Sequence, residues 1–229
     1  MAMIPFRYDP RILEKFPELS GGVIVGIGLV NGLSPEELRQ AYLDEQSRVL
    51  NWIGSTPLSD LKTLAGWRAA FRQFGVDPTQ YRSAAEALLR RLTKKGDIPS
   101  INAIVDVCNL VSIRHALPVA AFDRRQLLGA VSVHFASGSE RFTPLGETVV
   151  EHPEQGEVIF SDEAGLVLAR RWCWRQSDES AARQDSTQVL FTIESQHESG
   201  RSLVEQALHD LHDLLAKYVG GEYQSAMLR

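Results

Sequence analysis

The chain is poor in the features that usually announce a chemistry. It holds two cysteines in 229 residues, Cys108 and Cys173, too few for a disulfide framework, so buried free thiols in a cytoplasmic protein are expected. No apolar run approaches the roughly 20 residues that a membrane-spanning helix needs. The longest, Gly21 to Val30, is short, rich in glycine and without a charged leader or cleavage site, so no secretory signal is expected. There is no long linker and no low-complexity tract. No Walker loop, nucleophile elbow, zinc pattern or paired-cysteine motif is present, and nothing calls for a metal or other cofactor. Strong charge is missing too. A net charge of −5 argues against a nonspecific nucleic-acid coat, because phosphate binding needs positive potential. It leaves room for a local basic face that meets only one end of a nucleic acid.

What is there is ordinary for a soluble globular protein: 44% hydrophobic and 23% charged residues, in a chain long enough to bury a substantial core. Residues 1–20 mix Pro5, Pro10 and Pro17 with Arg7, Tyr8 and Phe16 and read as an extended lead-in. Val23 to Val30 is β-branched and bounded by glycines, which predicts a strand. Gly26 and Gly28 lie inside it, whereas a phosphate-binding turn needs its glycines after the strand. Close backbone packing or a bulge explains them better. Ser34 and Pro35 then open a helix, as N-cap and first helical residue, that runs to about Asn51. Another over residues 57–75 turns Leu61, Leu64, Trp67, Ala70, Phe71 and Phe74 toward the core. The first 76 residues are expected to pack onto the rest of one globular unit.

The chain is organised around residues 83–123. Ser83 and Glu86 have capping-box spacing, and Gly96 follows Arg90, Arg91, Lys94 and Lys95, which marks one helix from start to stop. A second begins near Ser100, its candidate N-cap, with Ile101, Ile104, Val105, Cys108 and Val111 at helical spacing. Asn102, Asp106 and Asn109 recur three to four residues apart and share one side of it. Polar side chains turned inward must be paired or face a cavity. Asn102 and Asp106 fit either alternative; Asn109 fits a cavity better.

Beyond Phe122 the pattern turns to strands: residues 127–135, 142–145, 148–150, 158–160, 164–174 and 188–193. Residues 175–186 are polar and read as an exposed, mobile loop. A last helix over residues 201–218 carries Val204, Leu208, Leu211, Leu215 and Tyr218 on one face. His209, Asp210, His212 and Asp213 lie off that face and read as solvated rather than as a metal site. Helices and strands come in blocks, which argues for an α+β fold.

The series Asp106-x-Cys108-Asn109-x-Val111 and Leu117-Pro118-x-x-Ala121-Phe122-Asp123 resembles the editing module of the bacterial phenylalanyl-tRNA synthetase β chain. Val158 to Asp162 and Thr187-Gln188-x-Leu190 continue the likeness over residues 78–196, about half the chain. The resemblance implies a free-standing B3/B4-type domain: mixed, sandwich-like sheets in three layers, flanked by helices. It implies hydrolysis of mischarged aminoacyl-tRNA, with Asn109 and Glu194 as the catalytic candidates that orient a water. The candidates for substrate binding are Asn102, Asp106, Cys108, Ala120, Arg171, Trp172, Trp174 and Thr192.

Three departures from the family shape that expectation. The motif's histidine falls on Ala120. The family's glycine-rich wall aligns with Arg170 to Arg175, which changes cavity shape and charge. Its tyrosine-sensing glutamate falls on Thr192, with Glu194 two residues on and on the same strand face. Trp172 and Trp174 either stack a tRNA 3′ end together with Arg171 and Arg175, or alternate with Cys173 on a strand and pack against a helix. The expected partner is a tRNA acceptor end or an amino acid, and not a membrane. A module that binds these without hydrolysis is the alternative.

Overall fold

The computed structural model describes residues 6–228, so Pro5 of the expected lead-in lies outside the described residues. Two sheets stack face to face. The four-stranded sheet runs β3 (Val119–Asp123), β8 (Gln188–Gln196), β2 (Leu19–Ile27), β9 (Glu222–Met227), all antiparallel. The five-stranded sheet runs β1 (Phe6–Tyr8), β4 (Val131–Phe135), β5 (Val158–Ser161), β6 (Val167–Arg170), β7 (Arg175–Gln176), antiparallel except for the β1–β4 pair.

Alternation along β8 divides the core in two. Val189, Phe191 and Ile193 face a helical layer built from α2 (Glu36–Ile53), α4 (Ala84–Lys95), α5 (Ala103–His115) and α6 (Gly200–Tyr218). Leu190, with Val23 and Val25 of β2, faces the other sheet, where Val131, Val133 and Phe160 meet it. Trp67 and Phe71 of α3 (Lys62–Gln73) and Phe16, just beyond α1 (Pro10–Lys15), complete that second core. Helix layer, sheet and sheet make the mixed α+β, three-layer architecture that the resemblance implied.

Several boundaries differ from those read in the sequence. The lead-in holds a strand and a helix, because Phe6 and Tyr8 pair along β4 and Asp9 caps α1. Gly26 does sit inside a strand, pressed against Leu29 and Tyr223. Residues 142–150 form only isolated bridges. The strand expected over 164–174 ends at Arg170, since Arg171 and Trp172 take left-handed backbone angles, φ 44° and 63°. Residues 175–186 are pinned: Gln176 Nε2 donates to the Ala121 and Ser180 carbonyls, and Ser177, Ser180 and Ser186 are buried. Polarity there reflects hydrogen bonding, which hydropathy cannot distinguish from exposure. Asp210 is likewise engaged, by Arg114 and His115.

Candidate functional site

β3 is the outer strand of its sheet, and a cavity of about 140 Å³ opens along it. Val105, Cys108 and Asn109 of α5 form one wall, and residues 172–176 form the opposite one. Thr192 and Glu194 of β8 line the depth, with Ala120 registered opposite Thr192. Alanine at 120 and 121 keeps the space open. The volume compares with the roughly 150 Å³ apolar cavity that takes up benzene in another protein. One amino-acid side chain fits that scale.

The edge strand also presents backbone donors. Glu194 N donates to the Pro118 carbonyl and Arg124 N to that of Gln188, so even-numbered residues of β3 turn their peptide groups toward β8. Odd-numbered residues turn outward, as the Asp123 N to Ser180 O bond also requires. The N–H groups of Val119 and Ala121 therefore leave the sheet on the cavity side.

The 171–174 turn explains the tryptophans. Glu157 grips Arg170 with both carboxylate oxygens, at 3.0 and 2.8 Å, and accepts from Arg171 N at 2.8 Å. This buried anchor holds the two left-handed residues, a conformation that costs of order 1–3 kcal/mol each. Ala84 N then closes on the Cys173 carbonyl at 2.8 Å. Trp172 is thrown inward against Phe16 and Trp67, with ring centres 4.8 and 5.2 Å away. Trp174 is thrown to the mouth, where it meets Tyr81 edge-on at 4.9 Å. The two do not alternate on a strand.

Glu194 is the most unusual group. It is 2% exposed, accepts from Tyr8 Oη at 2.8 Å and from Trp172 Nε1 at 3.0 and 3.1 Å, and makes no ion pair among the described residues. Burial raises its pKa to about 7, against the opposing pull of the Trp172 and Tyr8 hydrogen bonds. Burial and the Glu194 charge both raise Cys173, and burial followed by the Asp106 charge raises Cys108. Neither thiol is activated for attack. Asn109 is half-buried and stands beside the buried Tyr42 hydroxyl.

The structure thus gathers Cys108, Asn109, Ala120, Trp172, Trp174, Thr192 and Glu194 around one cavity. Asn102, Asp106 and Arg171 do not line it. Asn102, rather than Ser100, caps α5: its Oδ1 accepts from Val105 N at 3.0 Å and its Nδ2 donates to the Ala182 carbonyl at 3.1 Å. Asp106 accepts from Ser34 Oγ at 2.5 Å, from Ile101 N at 2.8 Å and from Ser100 Oγ. Both tie backbone and hydroxyls together behind the wall. The Arg171 guanidinium lies over Tyr81 and Trp174, 4.0 and 4.7 Å from their ring centres, and borders a separate hollow. Tyr8 and Gln176 were missed by sequence reasoning. Neither lies in a motif, and only the strand pairing brings them in.

A two-sheet α+β sandwich with a side-chain-sized cavity along its edge strand defines the class. The B3/4 domain model matches residues 66–220, more than half of the chain, and the chain belongs to that family. It is 30% identical over 152 residues to the phenylalanine–tRNA ligase β subunit of Shewanella oneidensis, covering 64% of this chain and 18% of that one. It is 36% identical over 95 residues to the same subunit of Idiomarina loihiensis, covering 42% and 12%. The chain spans less than a fifth of the curated relatives it matches. An N-terminal fragment of the phenylalanyl-tRNA synthetase β subunit from Pyrococcus horikoshii has the same fold. Its TM-score is 0.51 at 12% identity, over 100% of this chain and 55% of that one.

Proposed function

We propose that this chain is an editing deacylase that hydrolyses the ester of a mischarged aminoacyl-tRNA. The cavity along β3 carries the reading: it combines side-chain-sized space, outward backbone donors and a carboxyl that titrates near neutrality. In the reaction a water held by Asn109 and Glu194 attacks the ester carbonyl carbon. Its proton passes to the Glu194 carboxylate as the C–O bond forms. The N–H groups of Val119 and Ala121 suit the developing oxyanion. Collapse breaks the ester bond, and the ribose oxygen leaves with the proton that Glu194 received, restoring the carboxylate and releasing free amino acid. Trp174 at the mouth suits stacking of an unpaired base. Cys108, Ala120 and Thr192 bound the space for the amino-acid side chain.

Charge distribution supports an RNA partner. Residues 61–96 hold eight Lys and Arg against two acids, while the rest of the chain holds sixteen against twenty-seven. Ala84, the first residue of α4, lines the cavity, and exposed Arg90, Arg91, Lys94 and Lys95 lie toward the helix's other end. At 1.5 Å per residue that basic end stands roughly 15 Å from the cavity. Phosphates upstream of a 3′ end in the cavity would meet it. No helix among the described residues is long and apolar enough to cross a membrane, and a tRNA substrate puts the protein in the cytoplasm.

The test is release of labelled amino acid from a panel of mischarged tRNAs, with Asn109→Ala as control. Release confined to one or a few amino acids and lost in the variant is expected. No release from any tRNA, with tRNA or amino acid still raising the melting temperature, would instead indicate a binding module that kept the fold. The Glu194 carboxyl, already engaged by Tyr8 and Trp172, is the observation that favours that second reading.

A further inference from the structure

The depth of the cavity depends on residues outside the 66–220 family match. Tyr8 stands on β1, where it pairs with Val133, and its ring packs edge-on against Phe6 at 5.3 Å. Strand pairing and packing together aim its hydroxyl across the core at Glu194 Oε1. The approach passes over bare backbone. Gly21 of β2 is registered opposite Glu194, and a Cβ there would stand 2.1 Å from the Tyr8 hydroxyl oxygen. Any other residue at position 21 would displace the phenol.

The donors are one-sided. An indole N–H can only donate, and it reaches both carboxylate oxygens of Glu194. The Tyr8 phenol is the second donor. Burial and the Glu194 charge raise its own pKa well above the ordinary value, so it keeps its proton across the working range. Among the described residues, Cys173 of the turn also feels the Glu194 charge, and burial keeps its thiol protonated; β2 faces Glu194 with Gly21. The carboxyl's ionisation therefore rests on two hydrogen-bond donors set against an apolar surround.

We propose that Tyr8 is a positioning residue for Glu194, holding its carboxyl in the cavity-facing orientation and favouring its ionised form. The N-terminal strand then tunes a site whose remaining parts lie within the family match. The inference rests on the deacylase reading only for its consequence in turnover; the hydrogen bond itself has an independent readout.

That readout is the indole N–H resonance of Trp172, followed against pH in ¹⁵N-labelled protein. In the native chain it should titrate with a midpoint near 7. In Tyr8→Phe the midpoint should rise by about one pH unit, a tenfold gain in proton affinity, because a donor to the charged form is gone. Gly21→Ala should move it the same way. Where either variant fails to fold, replacing tyrosine throughout with 3-fluorotyrosine, a stronger donor, should lower the midpoint. A midpoint that stays put in the folded variants and in the fluorinated protein overturns the proposal. Under the deacylase reading, the acid limb of the release profile moves with the resonance while KM is unchanged. A moved resonance without any release would overturn the deacylase reading and leave the positioning role standing.

Discussion

Asp106 and Glu194 are both sealed from water, at 0% and 2% exposure, yet their surroundings differ in kind. Asp106 lies in the first turn of α5 and collects two hydroxyls and a main-chain N–H, from Ser34, Ser100 and Ile101. Ser100 and Ile101 come from the turn just before α5 and Ser34 from 72 residues away, and the helix N-terminus adds its own favourable field. Glu194 lies among Trp172, Phe160 and Ala169 with two side-chain donors and no main-chain one. One carboxylate is compensated and holds structure together. The other is under-compensated, retains a proton to near neutral pH and borders open space. Burial alone does not decide how a carboxylate behaves; the count and origin of its donors do.

The comparison can be broken by substitution, with the largest effect at Asp106. Asp106→Ala strands a main-chain N–H and two hydroxyls and should cost about 3–5 kcal/mol in a denaturant titration, with the slope unchanged. Glu194→Gln should cost far less. Its raised pKa means the native state holds the proton more tightly than the unfolded chain. That contribution is full below about pH 4.5 and lost as pH rises through about 7. Relative to the Gln variant, the native chain should therefore lose about 3 kcal/mol across that window, read from stability at several pH values.

Asn109→Ala, at a half-buried cavity position, should slow amino-acid release by about 10²-fold, some 2.7 kcal/mol, and change stability by no more than about 1 kcal/mol. The smallest effect belongs to the basic face. Arg90→Glu with Lys94→Glu should weaken tRNA binding several-fold, flatten its salt dependence by about two in the log–log slope and spare single-turnover release.

Much of this was legible beforehand, and the exceptions share a cause. The α4 boundaries followed from Ser83 and from Gly96, whose left-handed φ of 81° ends the helix. Asn109 was placed toward a cavity by the polar side of its helix and by the spaced motif, and Cys108 and Thr192 by the resemblance alone; all three line the cavity. Tyr8 could not be found that way: 186 residues separate it from Glu194, and only the parallel β1–β4 pairing brings them together. Trp172 and Trp174 looked like an alternating strand because hydropathy carries no trace of the Glu157 anchor that imposes two left-handed residues. Ser100 lost the cap to Asn102 for a similar reason: its hydroxyl is taken by Asp106, six residues along.

The most direct test of the cavity as a hydrolytic site is single-turnover release of amino acid from mischarged tRNA by the native chain, Asn109→Ala and Glu194→Gln, side by side. Release by the native chain that falls by about 10²-fold or more in both variants, with tRNA binding retained, is the predicted result. Equal release by all three proteins, or none from the native chain on any mischarged tRNA, would contradict it.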